Sequence, residues 1–114
     1  MKKLYIVKNQ YDFERIIKLN KCIKNSSFII YKENNNLPYS RFGISVGKKL
    51  GNAVYRNNRK RKIRDIIDKL DKNCIENKDY IIILRQYAKN HTYQQLKENL
   101  TRLLYTKERK KNEK

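Results

Sequence analysis

Arg41-Phe42-Gly43-Ile44-Ser45-Val46-Gly47-Lys48-Lys49-Leu50-Gly51-Asn52-Ala53-Val54-Tyr55-Arg56-Asn57-Asn58-Arg59-Lys60-Arg61-Lys62-Ile63-Arg64 changes its period in mid-course. Over the first seven residues Phe42, Ile44 and Val46 alternate with Arg41, Gly43, Ser45 and Gly47. That alternation predicts a half-buried strand whose second face carries unusually small side chains. Lys48 to Asn52 then form a loop, and Asn52 is placed to cap a helix from Ala53 to about Leu70. The helix has one apolar stripe, Ile63, Ile66, Ile67 and Leu70, at the spacing of a single buried face.

Working towards the N-terminus, Ser27–Glu33 reads as a strand built on Phe28, Ile29, Ile30 and Tyr31. Asn34 to Pro38 reads as the turn that joins it to the strand at Arg41, which predicts an antiparallel hairpin. A first helix is expected from an Asn9 cap to about Asn20, with Tyr11, Phe13, Ile16 and Ile17 at near-helical spacing. A short extra strand fits residues 21–25. Towards the C-terminus, Tyr80-Ile81-Ile82-Ile83-Leu84 is continuously apolar, as strands covered on both faces are. Thr92 and Gln95 have capping-box spacing before a helix that lines up Leu96, Leu100, Leu103 and Leu104. The order α-β-β-α-β-α predicts an α/β (α+β) two-layer sandwich with a small mixed sheet and about three helices. It is one domain spanning 1–114, ordered from about residue 4 to 105, with a charged tail at 106–114.

Charge narrows the function. The 114 residues hold 29 Lys and Arg against 11 Asp and Glu, a net charge of +18. A small domain carries such a charge when its partner is a polyanion. An anionic membrane surface would call for an amphipathic helix with bulky apolar anchors, and no run approaches the roughly 20 apolar residues of a span. The apolar stretch after Met1-Lys2-Lys3 is too short for a signal peptide, so a cytoplasmic protein is expected. Cys22 and Cys74 are far apart and His91 is the single histidine, which argues against a zinc site and for reduced thiols.

The charge concentrates in Lys48 to Arg64, where eight of seventeen residues are basic and none is acidic. Like charges at i, i+3 and i+4 destabilise a helix unless an anion lies on it, so a merely solvated face is the weaker reading. Arg56, Arg59 and Lys60 share a side that Arg64 extends, and forked guanidinium groups bind phosphates bidentately. Asn57 could reach a base edge, a 2′-hydroxyl or a metal-bound water. Asp65, Asp68 and Asp71 follow on the same element, read as offsetting its charge rather than holding a metal. His91, just before a helix cap, has no evident partner as a general base.

The quoted stretch resembles the signature of the bacterial ribonuclease P protein subunit: a strand ending in G-x-S-V-[SG]-K-K, then G-N-A-V-x-R-N and a K-R-x-x-R helix. Phe13, Phe28-Ile29-Ile30-Tyr31, Asp79 to Ile83 with Arg85, and Thr92-Tyr93 extend the resemblance over roughly residues 7–105. The family's R-N-R run reads Arg56-Asn57-Asn58 here, with Arg59 next as a substitute cation. The resemblance implies a protein component of an endoribonuclease that removes the 5′ leader of precursor tRNA. It implies that the catalytic centre and its Mg²⁺ belong to an RNA subunit, that no protein residue is catalytic, and that the protein is monomeric outside the holoenzyme. It implies RNA contacts at Lys48, Lys49, Asn52, Arg56, Asn57, Arg59, Lys60, Arg61 and Arg64. It further implies leader contacts at Phe13, Ile17, Tyr31, Ser45 and Arg85, and a left-handed crossover around the basic helix. A structural RNA-binding protein, such as a ribosomal protein, is the alternative on composition.

Overall fold

The computed structural model describes residues 6–7, 10–19 and 21–105. The expected cap Asn9, the expected helix end at Asn20 and the tail 106–114 lie outside them. The elements are α1 (Gln10–Lys18), β1 (Cys22–Lys24), β2 (Phe28–Asn34), β3 (Arg41–Ser45), α2 (Ala53–Lys69), β4 (Lys78–Leu84) and α3 (Tyr93–Leu104). Single 3-10 turns at Lys48–Leu50, Lys72–Cys74 and Gln86–Ala88 link them.

The four strands form one mixed sheet in the order β1-β2-β4-β3. The expected pairing of β2 with β3 does not form. β2 makes its hairpin with β1, the short strand at 22–24, and runs antiparallel to β4. β3 pairs with β4 in parallel, so α2 is the crossover between them. The reason lies in β4, whose Tyr80, Ile81, Ile82 and Leu84 are all buried. Only an interior position covers such a strand, so β4 inserts between β2 and β3 and the Asn34 to Pro38 segment becomes a longer link.

Alternation then sorts the side chains. Phe28, Ile30, Phe42, Tyr80, Ile82 and Leu84 face α2 and α3, where they join Ile63, Ile66, Ile67, Leu96, Leu100, Leu103 and Leu104 in the main core. All four leucines expected on α3 are buried. The opposite face carries Tyr31, Ile81 and Ile83, which pack with Ile16, Phe13 and Ile17 of α1 and with Val7. The Val7 N–H donates to the Phe42 carbonyl at 3.0 Å, and Ile6 bridges to Phe42 along the outer side of β3.

Capping follows the sequence closely. The Asn52 side chain accepts from the Tyr55 N–H at 2.9 Å and starts α2. At α3 the Thr92 hydroxyl accepts from the Gln95 N–H, and the Gln95 side chain accepts from the Thr92 N–H, completing the reciprocal box.

Candidate nucleic-acid interface

Two surfaces stand out, one on each side of the sheet. The first is the outer side of α2. Its inner stripe is fixed by Ile63, Ile66 and Ile67, all buried. Asn57, Arg61 and Arg64, at helical spacing, therefore form the exposed ridge, with Arg56 and Lys60 half-buried beside it. Lys48 and Lys49 are exposed on the turn that leads into the helix. Arg59 departs from the expected row. Its guanidinium donates to the His91 carbonyl at 2.5 Å and lies 5.3 Å from the centre of the Tyr55 ring.

Tyr55 also donates its hydroxyl to the Lys89 carbonyl at 2.5 Å, so the 86–91 segment is docked on the helix. Gly51 makes the entry possible: a Cβ there would lie 2.5 Å from a Tyr55 ring carbon. Among the described residues Arg56 Nε is enclosed without a hydrogen-bond partner. No acidic residue stands in the first turn, so the helix dipole adds to the side-chain charge.

The carboxylates of this region are engaged elsewhere. Asp65 accepts from the Tyr93 hydroxyl at 2.5 Å and pairs with Lys69 at 3.1 Å. Those two bonds hold the Asp65 carboxyl below its usual range, and the first of them, with desolvation, pushes the Tyr93 hydroxyl up. The Asp71 side chain accepts from the Asn73 N–H at 3.0 Å. Among the described residues no three His, Cys, Asp or Glu side chains stand close enough to hold a metal ion. The His91 ring meets Tyr87 edge-on at 5.6 Å.

The second surface is the α1 face of the sheet, and strand register defines it row by row. Tyr31 opposes Ile81, which opposes Gly43, and α1 lies over this row. Phe13 rests on Gly43 so closely that a Cβ there would lie 2.6 Å from its ring. Gly43 is thus a seat for Phe13. The next row, Ile29, Ile83 and Ser45, is half-buried, and Ile83 at its centre also packs against the α1-side cluster. The result is a groove with Phe13, Ile17 and Tyr31 on one bank and an apolar floor ending at Ser45.

Arg85 follows at the same alternation beyond Ile83. Its guanidinium donates to the Asn25 carbonyl at 2.9 Å, and its N–H donates to the Ser27 carbonyl at 2.9 Å. The opposite end of α1 is anchored by charge: Arg15 binds Glu33 and, at 3.4 Å, Asp12. Beside it, Asp79, 2% exposed, takes Arg41 through both carboxylate oxygens and accepts from Asn35.

Phe13, Ile17, Tyr31 and Ser45 are therefore brought to one groove, while Arg85 is tethered at its rim. Ile29 and Ile83 complete the floor. They escape a reading by motif because only strand pairing reveals which row they occupy. Past Ser45 the chain runs directly through Val46 and Gly47 to Lys48 and the start of α2, so groove and basic ridge meet at one loop.

A family model described as Ribonuclease P matches residues 1–108. A ribonuclease P protein component of Streptococcus pyogenes serotype M5 (strain Manfredo) is 44% identical over 104 residues, covering 91% of this chain and 87% of the relative. One from Streptococcus equi subsp. equi (strain 4047) matches to the same extent, 44% over 104 residues, 91% and 87%. The Staphylococcus aureus RNase P protein structure superposes with a TM-score of 0.80 at 44% identity, covering 90% of this chain and 94% of the other. The Thermotoga maritima RNase P protein gives 0.81 at 30% identity, covering 89% and 96%.

Proposed function

The chain belongs to the ribonuclease P protein family, and from that membership we propose that it holds the RNA subunit of that endoribonuclease on α2 and the 5′ leader of precursor tRNA in the α1 groove. The observation that carries this reading is the meeting of the two surfaces at residues 46–52. A strand lying over Ile83 and Ser45 reaches the basic helix without crossing the core. Single-stranded RNA is held by basic grooves with stacking platforms, and Phe13 and Tyr31 supply aromatic faces beside a short apolar floor.

The α2 ridge suits a folded RNA differently. Asn57, Arg61 and Arg64 project with Lys48 and Lys49 at its start, a row that reads phosphate positions more than base identity. Of the carboxylates beside the ridge, Asp65 is engaged by Tyr93 and Lys69 and Asp71 by the Asn73 backbone. In this reading the Mg²⁺ and the bond-breaking chemistry reside on the RNA subunit. The protein's part is to bind, orient and neutralise.

The test is cleavage of a precursor tRNA at low Mg²⁺ by protein alone, by a bacterial ribonuclease P RNA alone, and by both. Cleavage at the mature 5′ end in the combined reaction only is the expected result. Cleavage by the protein alone would return attention to its carboxylates. No gain on adding protein would reduce it to a general RNA-binding protein.

A further inference from the structure

The groove floor does not stop at β2. Register carries the row Ser45, Ile83, Ile29 one strand further, because Lys24 of β1 is the partner of Ile29. The parallel row Gly43, Ile81, Tyr31 likewise ends on Cys22. Lys24 and Cys22 are both exposed, and both lie on the α1 side of the sheet. The open row thus runs across all four strands: a hydroxyl at the β3 edge, two half-buried isoleucines in the middle, an ammonium at the β1 edge. Three strand spacings of about 4.8 Å make it roughly 14 Å long, the reach of a few nucleotides of extended strand.

Direction follows from the two ends. The β3 end adjoins Lys48, Lys49 and the amino-terminal end of α2. The other long side of the groove is closed by α1, which covers the neighbouring row, and the Arg15 and Arg41 guanidinium groups beyond it are paired with Glu33, Asp12 and Asp79. An RNA strand entering beside Ser45 is therefore led across the sheet, not along it, and leaves over β1.

Resting on the leader-binding reading above, we propose that the groove extends to the β1 edge and that Lys24 binds a leader phosphate at its outer end. β1 then sets how many leader nucleotides the protein holds. A lysine on an edge strand also guards against edge-to-edge pairing, and dependence on leader length separates the two roles.

The experiment measures binding of the reconstituted holoenzyme to precursor tRNAs with leaders of increasing length and to mature tRNA, under conditions that block cleavage. Wild type is compared with Lys24→Gln, Lys24→Glu and a control at the exposed Lys97 of α3, Lys97→Glu. Expected is wild-type affinity that rises with leader length to a plateau. Both Lys24 variants should lower the plateau several-fold while short-leader and mature tRNA bind as before. For the longest leader, Lys24→Gln should also flatten the log–log salt slope by about 0.7, one single-strand phosphate contact.

A second readout uses Cys22 in a Cys74→Ser background: long-leader precursor should slow its alkylation and short-leader precursor should not. Equal losses at every leader length, losses matched by Lys97→Glu, an unchanged plateau, or Cys22 reactivity indifferent to the leader would each overturn the proposal. A wild-type holoenzyme that does not distinguish precursor from mature tRNA would overturn the leader-binding reading itself.

Discussion

Gly43 shows how one missing methyl group shapes the α1 face of the sheet. Phe13 lies where a Cβ would be, 2.6 Å from its ring carbon and 2.9 Å from Ile81 Cδ1. Neither neighbour is free to yield, since Ile81 is fully buried and Phe13 is clamped between α1 and the sheet. Gly43→Ala is expected to lift Phe13, costing about 1–3 kcal/mol of stability by overpacking. A shift in the urea midpoint should accompany weaker leader binding, and an unshifted midpoint would contradict the packing described. Tyr80 makes a different claim. Burial pushes its hydroxyl well above the ordinary value of 10.0, while it donates to the Glu76 carbonyl at 2.7 Å. Its folded pKa exceeds its unfolded one, so this contribution is complete below pH 10 and is lost as pH rises towards the folded value. Between pH 9 and 11, Tyr80→Phe should lose less stability than wild type by about 1.4 kcal/mol, while costing about 1 kcal/mol at neutral pH for the hydrogen bond. Urea titrations at the two pH values decide it. At this scale the sequence was partly legible: Phe13 and Tyr31 could be picked out as aromatics near a small-residue strand. That Gly43 is occupied by Phe13 depends on how α1 crosses the sheet, which no local pattern encodes.

Elements were the most legible level. Asn52, Thr92 and Gln95 announce their helix starts through side-chain chemistry, and the isoleucines of α2 and leucines of α3 fall on their buried faces as the periodicity requires. These signals are local, so the sequence carries them whole. α2 is also an element in tension. Its first turn has no acidic residue and its outer ridge is cationic, so its own charges oppose it. The Asn52 cap and the docking of Tyr55 and Arg59 on the 86–91 backbone offset part of that repulsion. Asn52→Ala should therefore lower stability by about 1 kcal/mol, and saturating RNA should restore part of the loss because bound anions relieve the repulsion. Thermal melts of both proteins with and without RNA test this; a cap variant as stable as wild type would remove the cap from the account. Arg59 was the least legible residue of the helix. In sequence it belongs to the basic row, yet its partner is a backbone carbonyl 32 residues away.

At the scale of the molecule, the sheet divides labour between its faces. One face is sealed by α2 and α3 into the main core, and the other is only partly covered by α1, which leaves a row of side chains open beside it. The fold class was legible because strands and helices alternate. Strand order was not: β2 and β3 are separated by a short polar link that suits a hairpin, and the preference of β4 for an interior place is a comparison between strands rather than a property of either. Charge at this scale was plain from composition, but its distribution was not. The Arg15, Glu33, Asp12 and Arg41, Asp79 pairs gather at one margin of the groove face, while Lys48, Lys49, Arg61 and Arg64 stand exposed on α2 and the turn before it.

The interior place of β4 also governs how the chain is born. β1, β2 and β3 emerge from synthesis first, and in the finished sheet β2 and β3 do not pair with each other; the inner edge of each waits for a strand made after the basic helix. Until Leu84 arrives to meet Phe28, the nascent chain exposes two unsatisfied strand edges and a cationic helix with nothing beneath it. Contacts of such sequence separation close slowly, and chains with unpaired edges aggregate. A ribosome stalled before β4 would carry a sticky, unfinished sheet, and the last third of the message decides whether the first two-thirds become a protein.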